Sequence, residues 1–325
     1  MPAWGEILAE FQTSAQQHGG MPDSDTIRRK YLQQLAAYTR RSTILYATAW
    51  MSRGGLPETT INLQDMQGMM EVCRQLPGPN LDLILHSPGG TAEAAASIVT
   101  YLRQKYDDIR VFVPLAAMSA ATIWAMSANR IVMGKHSQLG PIDTQVMFMQ
   151  PNGQPMAVPA RTIIDQFERA KREIAAHPAT LGAWAPMIPQ YGPGLLEMCE
   201  TADALSRGLV RDWLKNYMFR NQQNAARKAS TVAKFFGNFG LHKSHAVGIF
   251  RDLAKQQGLT IEDLEADQEL QDAVLSVFHA TMLTFNASIC IKVIENNLGR
   301  GFYVQAQQIQ IVQVPPPAPP RQPGP

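Results

Sequence analysis

The sequence is poor in several features that mark specialised classes of protein. Charged residues make up only 17% of the 325 residues and the formal net charge is +2, which argues against the basic surface of a nucleic-acid-binding protein. The three cysteines, Cys73, Cys199 and Cys290, are odd in number and widely spaced, so the sequence predicts reduced thiols and no metal site. We therefore expect a cytoplasmic protein that binds no nucleic acid.

Long apolar runs and nucleotide-binding motifs are also missing. No run of about 18 apolar residues suggests a membrane span, and the first residues lack the pattern of a signal peptide. Neither a dinucleotide-binding glycine pattern nor a P-loop is present, and no lysine lies in a recognisable pyridoxal-phosphate context. The sequence thus predicts no cofactor, while a peripheral membrane or membrane-protein partner is not excluded.

What is present is a regular alternation of strand and helix patterns between residues 43 and 134. This alternation predicts an α/β fold with a parallel sheet and crossover helices. The later sequence has helical spacing, so a mostly helical C-terminal part is expected. The predicted division is a loosely ordered N-terminus (1–24), a main α/β domain (25–260), a helical extension (261–312) and a Pro-rich disordered tail (313–325).

Two turns in the alternating region carry the residues of chemical interest. Gly89 and Gly90 follow the strand LILH and precede a helix for which Thr91 is the expected N-cap. Glycines there let a backbone N–H approach a ligand, as an oxyanion hole requires, although the glycines taken alone favour a simple tight turn. Ser119 lies among small residues at the next strand-to-helix turn, where it fits either a nucleophile or a helix cap.

The motifs SPGG, AMSA-x-T and LGPID, in this order, resemble the serine dehydrogenase proteinase family, which is related to signal peptide peptidase A and to the Clp/crotonase fold. The resemblance covers about residues 28–146. It implies a serine peptidase with Ser119 as the nucleophile and an oxyanion hole formed by the N–H groups of Gly90 and Ala120, helped by Gly89. Ala121 stands where relatives usually carry glycine, and its methyl group could narrow the pocket. The resemblance also implies a peptide or protein substrate and a homo-oligomer.

The general base is left open among three candidates. Lys171 lies beside the apolar face of the predicted helix 160–176, where partial desolvation would lower its pKa, and relatives of the signal peptide peptidase type use a lysine. His136, oriented by Asp143, is a second candidate. His242 and His245 form a third.

Two other functions compete with the peptidase hypothesis. A catalytically weak relative that serves as an assembly or binding module would explain the unclear base, Ala121 and the divergent C-terminal half. Crotonase-like acyl-CoA chemistry uses similar oxyanion geometry but is not expected to employ a serine after methionine. A nitrogen base within hydrogen-bond reach of Ser119 would favour the peptidase.

Overall fold

A computed structural model describes residues 4–149 and 153–306 of the chain. The strands, numbered in chain order, are β1 (Ser42–Thr48), β2 (Asn80–His86), β3 (Asp108–Val113), β4 (Ala116–Ala117), β5 (Arg130–Met133), β6 (Gln138–Leu139), β7 (Gln145–Met149), β8 (Pro155–Pro159), β9 (Ile249–Phe250), β10 (Ile261–Asp263), β11 (Cys290–Asn296) and β12 (Gly301–Gln305). The helices, numbered in the same way, are α1 (Trp4–Gln17), α2 (Ser24–Thr39), α3 (Asp65–Cys73), α4 (Ala92–Arg103), α5 (Ala120–Ala125), α6 (Ala160–Ala176), α7 (Leu181–Trp184), α8 (Leu195–Trp213), α9 (Ala225–Phe236), α10 (Phe239–His242), α11 (Arg251–Gln256) and α12 (Gln268–Ala287).

The seven-stranded main sheet has the order β10-β5-β3-β2-β1-β11-β12. The first five strands in this order are parallel to one another, whereas β11 runs antiparallel to both β1 and β12. All seven residues of β1 are buried, as expected for a parallel strand with helices on both faces of its sheet. The predicted α/β fold with crossover helices is confirmed.

Alternating side chains of the central strands feed two hydrophobic cores. Ile44 and Leu83 point into the core beneath α3, α4, α5 and α9, whereas Leu45 and Ile84 point into the core beneath α1, α2 and α12. The period of two along each strand therefore divides the molecule into three layers. None of the helices in the described ranges is long and apolar enough to cross a membrane.

The two ends of the described chain differ from the predicted division. Residues 4–17 form helix α1, which buries Ile7 and Phe11, rather than a loosely ordered segment. The supposed helical extension, 261–312, contains β10, β11 and β12 of the main sheet, so it is not a separate part. The Pro-rich tail at 313–325 lies outside the described residues.

A small second sheet with the order β4-β6-β9 lies beside the main one. Strand β4 is parallel to β6, and β6 is antiparallel to β9. The carboxyl ends of β4 and β6 and the amino end of β9 consequently lie at one edge of this sheet. The residues that emerge at this edge form the candidate site.

Candidate active site

The two turns singled out in the sequence lie against each other. The Ser87 N–H donates to the Ala116 carbonyl at 3.2 Å, and the Met118 N–H donates to the Ser87 carbonyl at 3.0 Å. This pairing brings Gly89 so close to Ser119 that a Cβ on the glycine would lie 2.7 Å from the serine Cβ. Gly89 also has a φ of 100°, so both its conformation and its surroundings call for glycine.

Ser119 adopts a backbone conformation that few residues other than glycine adopt. Its φ is 52° and its ψ is −121°, directly before helix α5 begins at Ala120. Ser119 occupies the N-cap position of α5, but its side chain makes no capping hydrogen bond, so the hydroxyl is not used to cap the helix. A sharp strand-to-helix turn of this kind raises a nucleophilic side chain above the sheet, and strain of this kind clusters at functional sites.

Backbone N–H groups beside Ser119 differ in whether they have acceptors. The Gly89 N–H donates to Ser87 Oγ at 3.2 Å. Within the described ranges, the N–H groups of Gly90 and Ala120 have no hydrogen-bond acceptor. These two donors flank the serine and are free to bind an oxygen atom that develops negative charge.

Asp143 and His245 form a hydrogen-bonded pair in the same region. His245 Nδ1 lies 2.9 Å from Asp143 Oδ1, and Gln145 Nε2 donates to the other carboxylate oxygen at 2.8 Å. Asp143 is 2% exposed, and the His245 side chain is 29% exposed. A carboxylate accepts hydrogen bonds, so this contact assigns the proton of a neutral imidazole to Nδ1 and leaves Nε2 as the acceptor.

The small sheet explains how residues so distant in sequence meet. Ser119 follows β4, Asp143 follows β6, and His245 precedes the antiparallel strand β9. The Thr122 hydroxyl reinforces the arrangement, because it donates to the Ala117 carbonyl at 2.7 Å and accepts from the Gly140 N–H at 2.9 Å. The loop that carries Asp143 is thereby attached to the turn that carries Ser119.

A cavity of about 770 Å³ opens over these groups. Ser119, Gly90, Ala120, Asp143 and His245 all line it. Much of the remaining lining is apolar: Ile123, Ile142, Val146, Met147, Met198, Ala202 and Leu205. No hydrogen bond joins the Ser119 hydroxyl to His245 among the described residues, and such bonds commonly tighten only when substrate binds.

The structure does not bring Lys171 or His136 into this cavity. The Lys171 ammonium group lies 2.9 Å from Glu168 Oε1, and its side chain is 59% exposed. The reason is that Ala170, its neighbour on α6, faces the core, so Lys171 points about 100° away from it. His136 is exposed, and its Nε2 lies 2.9 Å from the Pro114 carbonyl.

The positions of His242 and Ala121 decide two further expectations from the sequence. His242 Nε2 lies 2.8 Å from the Phe235 carbonyl, away from the cavity lining. The Ala121 methyl group is fully buried in the core and does not narrow the cavity. Of the histidines considered in the sequence, His245 alone lines the cavity with Ser119, and it was only one member of the third alternative.

The comparison with protein families bears on the segment that contains most of this site. Residues 29–179 match the family model described as ClpP-like SDH-type serine proteinase. This segment, which is a little under half of the chain, is similar to that family. The match includes the glycine turn, Ser119 and Asp143, and it ends well before His245. The resemblance drawn from the SPGG, AMSA-x-T and LGPID motifs is confirmed, and the large, mostly parallel sheet agrees with a ClpP-like fold.

Two curated relatives match only part of this chain. Two uncharacterized proteins of Methanocaldococcus jannaschii are 37% identical over 87 residues and 30% identical over 116 residues, covering 26% and 35% of this chain. The chain spans 30% and 37% of the length of those relatives.

Among solved structures, two variants of the 1510-N membrane-bound stomatin-specific protease are similar. A serine-to-alanine variant has a TM-score of 0.38 and 15% identity, covering 66% of this chain and 79% of that one. A lysine-to-alanine variant in complex with a substrate peptide has a TM-score of 0.35 and 16% identity, covering 60% of this chain and 65% of that one. Overlaps this loose support no residue assignment in this chain.

Proposed function

We propose that this chain is a serine peptidase in which Ser119 is the nucleophile, His245 the general base and Asp143 the residue that orients the base. The observation that carries the proposal is the shared cavity: a strained serine, a carboxylate-bound imidazole and two unbonded N–H groups line it together. The match of residues 29–179 to a serine proteinase family model supports the same reaction. His245 replaces Lys171 and His136 as the proposed base.

In the first half of the reaction, the Ser119 oxygen attacks the carbonyl carbon of a peptide bond. His245 Nε2 accepts the hydroxyl proton while the new C–O bond forms and the carbonyl electrons move onto oxygen. Asp143 holds the Nδ1 proton, which fixes the tautomer and stabilises the imidazolium that forms. Collapse of the intermediate breaks the C–N bond, and the imidazolium gives its proton to the leaving amine.

In the second half, water enters in place of the amine and gives a proton to His245 as its oxygen attacks the acyl group. Collapse of this second intermediate breaks the bond to the Ser119 oxygen, which takes the proton from His245, and the acid product leaves. The negative oxygen of both tetrahedral intermediates would lie between the N–H groups of Gly90 and Ala120. A preorganised donor of this kind is worth about 10²–10³ in kcat. The Gly89 N–H is committed to Ser87 Oγ, so Gly89 serves by allowing the close approach of the two turns.

The cavity lining favours apolar residues around the cleaved bond. Branched aliphatic and methionine side chains form a large apolar part of its wall, and it contains no lysine or arginine among the described residues. Methionine adapts its shape to different neighbours, so several apolar side chains should fit. We infer a preference for peptides with aliphatic or aromatic residues next to the scissile bond and a low rate with acidic residues there.

The alternative role as an inactive binding module depended on the missing base and on Ala121. With His245 paired to Asp143 and with the Ala121 methyl group outside the cavity, neither observation now favours it. The direct test compares hydrolysis of apolar fluorogenic peptides and of an unfolded protein by the wild type and by Ser119→Ala. We expect cleavage by the wild type and none by the variant. Equal rates for the two proteins would contradict the proposal, and cleavage by neither would favour the binding module.

A further inference from the structure

A buried ion pair lies behind the glycine turn. Lys292 of β11 places its Nζ 2.6 Å from Asp65 Oδ1, and both side chains are 1% exposed. Tyr46 of β1 donates its hydroxyl to the other carboxylate oxygen at 2.7 Å. Burial lowers the pKa of Lys292, and the Asp65 charge opposes that effect. Burying such a pair costs free energy and seldom adds much stability, so its presence points to a role other than stability alone.

The polar partners of this pair bracket a single residue, Ile61. Lys292 Nζ donates to the Thr60 carbonyl at 2.9 Å, on one side of Ile61. Asp65 Oδ2 accepts from the Asn62 N–H at 3.1 Å, on the other side. The pair therefore fixes the backbone position of Ile61 from both directions.

Ile61 in turn holds the glycine turn by its own backbone. Its N–H donates to the Gly89 carbonyl at 2.7 Å, and its carbonyl accepts from the Thr91 N–H at 3.0 Å. Gly90 lies between these bonds, so close that a Cβ on it would be 2.1 Å from the Ile61 carbonyl oxygen. The direction of the free Gly90 N–H is set by this bridge.

The same network reaches the helix that carries the other free donor. The Tyr46 ring packs edge-on against Trp124 of α5, with ring centroids 5.1 Å apart. Helix α5 begins at Ala120, the second residue with an unbonded N–H beside Ser119. One buried cluster thus supports both sides of the site.

We propose that Lys292 and Asp65 are positioning residues that hold the Gly90 N–H in place for the negative oxygen of the reaction intermediate. The proposal rests on the proposed peptidase function. Neither residue lines the cavity, so both act through Ile61 and not on substrate. Since a displacement of about 1 Å near reacting atoms can cost about 100-fold in rate, loss of the clamp should lower kcat more than it raises KM.

The test removes both charges together, because removing one would leave the other buried and unpaired. The variant is Lys292→Met/Asp65→Asn. A matched control, Arg28→Met/Glu295→Gln, removes another buried ion pair of β11, whose two side chains are both 0% exposed and lie outside the cavity lining. Tyr46→Phe serves as a milder variant should the double variant fail to fold, because it deletes one hydroxyl and keeps the ring.

Three readings are taken on proteins matched for folding by circular dichroism. We expect the double variant to lose about 10- to 100-fold in kcat with KM within about threefold, and to bind a peptide aldehyde more weakly by the same factor. Tyr46→Phe should lose a smaller factor in the same direction. Hydrogen exchange in the segment 87–92 should be faster than in the wild type. In the control, the kinetic constants, aldehyde binding and exchange at 87–92 should all stay at wild-type values, although its Tm should shift as much as that of the double variant.

Two results would overturn the positioning role. One is a folded double variant with wild-type kcat and wild-type exchange at 87–92. The other is an equal loss of kcat in the Arg28/Glu295 control, which would mark a general effect of stability. If the wild type hydrolyses no peptide, the peptidase function fails instead. The exchange measurement then still decides whether the ion pair holds the glycine turn.

Discussion

Gly90 offers a sharp test of the oxyanion geometry because its surroundings leave no room for a side chain. A Cβ at this position would lie 2.1 Å from the Ile61 carbonyl oxygen and 2.5 Å from the Ile61 nitrogen, both of them backbone atoms. Ordinary contacts begin at 3.4 Å, so the turn in Gly90→Ala must move away from Ile61 by more than 1 Å.

A movement of that size removes the Gly90 N–H from the position it needs. Loss of one oxyanion donor costs about 10²–10³ in kcat, equivalent to about 3–4 kcal/mol. Overpacking should also lower the free energy of unfolding by about 1–3 kcal/mol. We therefore expect Gly90→Ala to fold but to lose at least about 100-fold in kcat, with a smaller change in KM.

The matched control is Gly20→Ala, at a glycine that also has a positive φ, 100° against 155° for Gly90, but nothing within 4 Å of the added Cβ. Its cost should be limited to about 1 kcal/mol of backbone strain, with kcat unchanged. The assay is steady-state hydrolysis of an apolar fluorogenic peptide, alongside urea unfolding of each protein. A folded Gly90→Ala enzyme with kcat within about threefold of the wild type would refute the oxyanion assignment.

Three further predictions concern other residues. Asp143→Asn should lower kcat by about 10³–10⁴, since an amide does not hold the Nδ1–H tautomer of the base, and steady-state kinetics would show it. The free energy of unfolding should be about 1 kcal/mol higher for Ser119→Gly than for Ser119→Ala, because glycine relieves the strain at a φ of 52°. Equal free energies of unfolding in urea would contradict the presence of strain. Burial lowers the pKa of His86 to about 4. As the pH falls from 6.5 to 4, His86 therefore binds a proton in the unfolded chain but not in the folded one, and the free energy of unfolding should fall by about 3 kcal/mol. His86→Phe should flatten this part of the unfolding profile, and an unchanged slope would contradict the assignment.

The central part of the fold could be predicted because its signals are local. Each strand and helix between residues 43 and 134 has its own periodicity, and their alternation implies a parallel sheet. The two turns of the candidate site could be located for the same reason, since each is a short motif at a strand end.

Strand β11 could not be predicted because its sequence does not look like a buried strand. Lys292, Glu295 and Asn296 interrupt the apolar run CIKVIEN, yet all three are buried. Two ion pairs and an amide hydrogen bond make this possible, and their partners lie more than 200 residues away in the chain. No local sequence pattern indicates that these polar side chains find buried partners, so the sequence alone favours a helical extension for this part of the chain.

His245, the proposed base, could not be singled out from the sequence for a similar reason. His245 meets Asp143 across 102 residues, through the antiparallel pairing of the two-residue strands β6 and β9. Strands this short leave no detectable periodicity. Lys171 is more visible in the sequence because its helix is strongly amphipathic, but its own position on that helix faces solvent.

The central claim is that Ser119 is a nucleophile activated by His245, and covalent labelling tests it most directly. The wild type, His245→Ala and Lys171→Ala would be treated with a peptidyl phosphonate, and the modified residue and its rate of modification would be determined by mass spectrometry. We expect modification of Ser119 in the wild type and in Lys171→Ala at similar rates, and a rate at least about 100-fold lower in His245→Ala. Labelling that bypasses Ser119, or that depends on Lys171 and not on His245, would contradict the account.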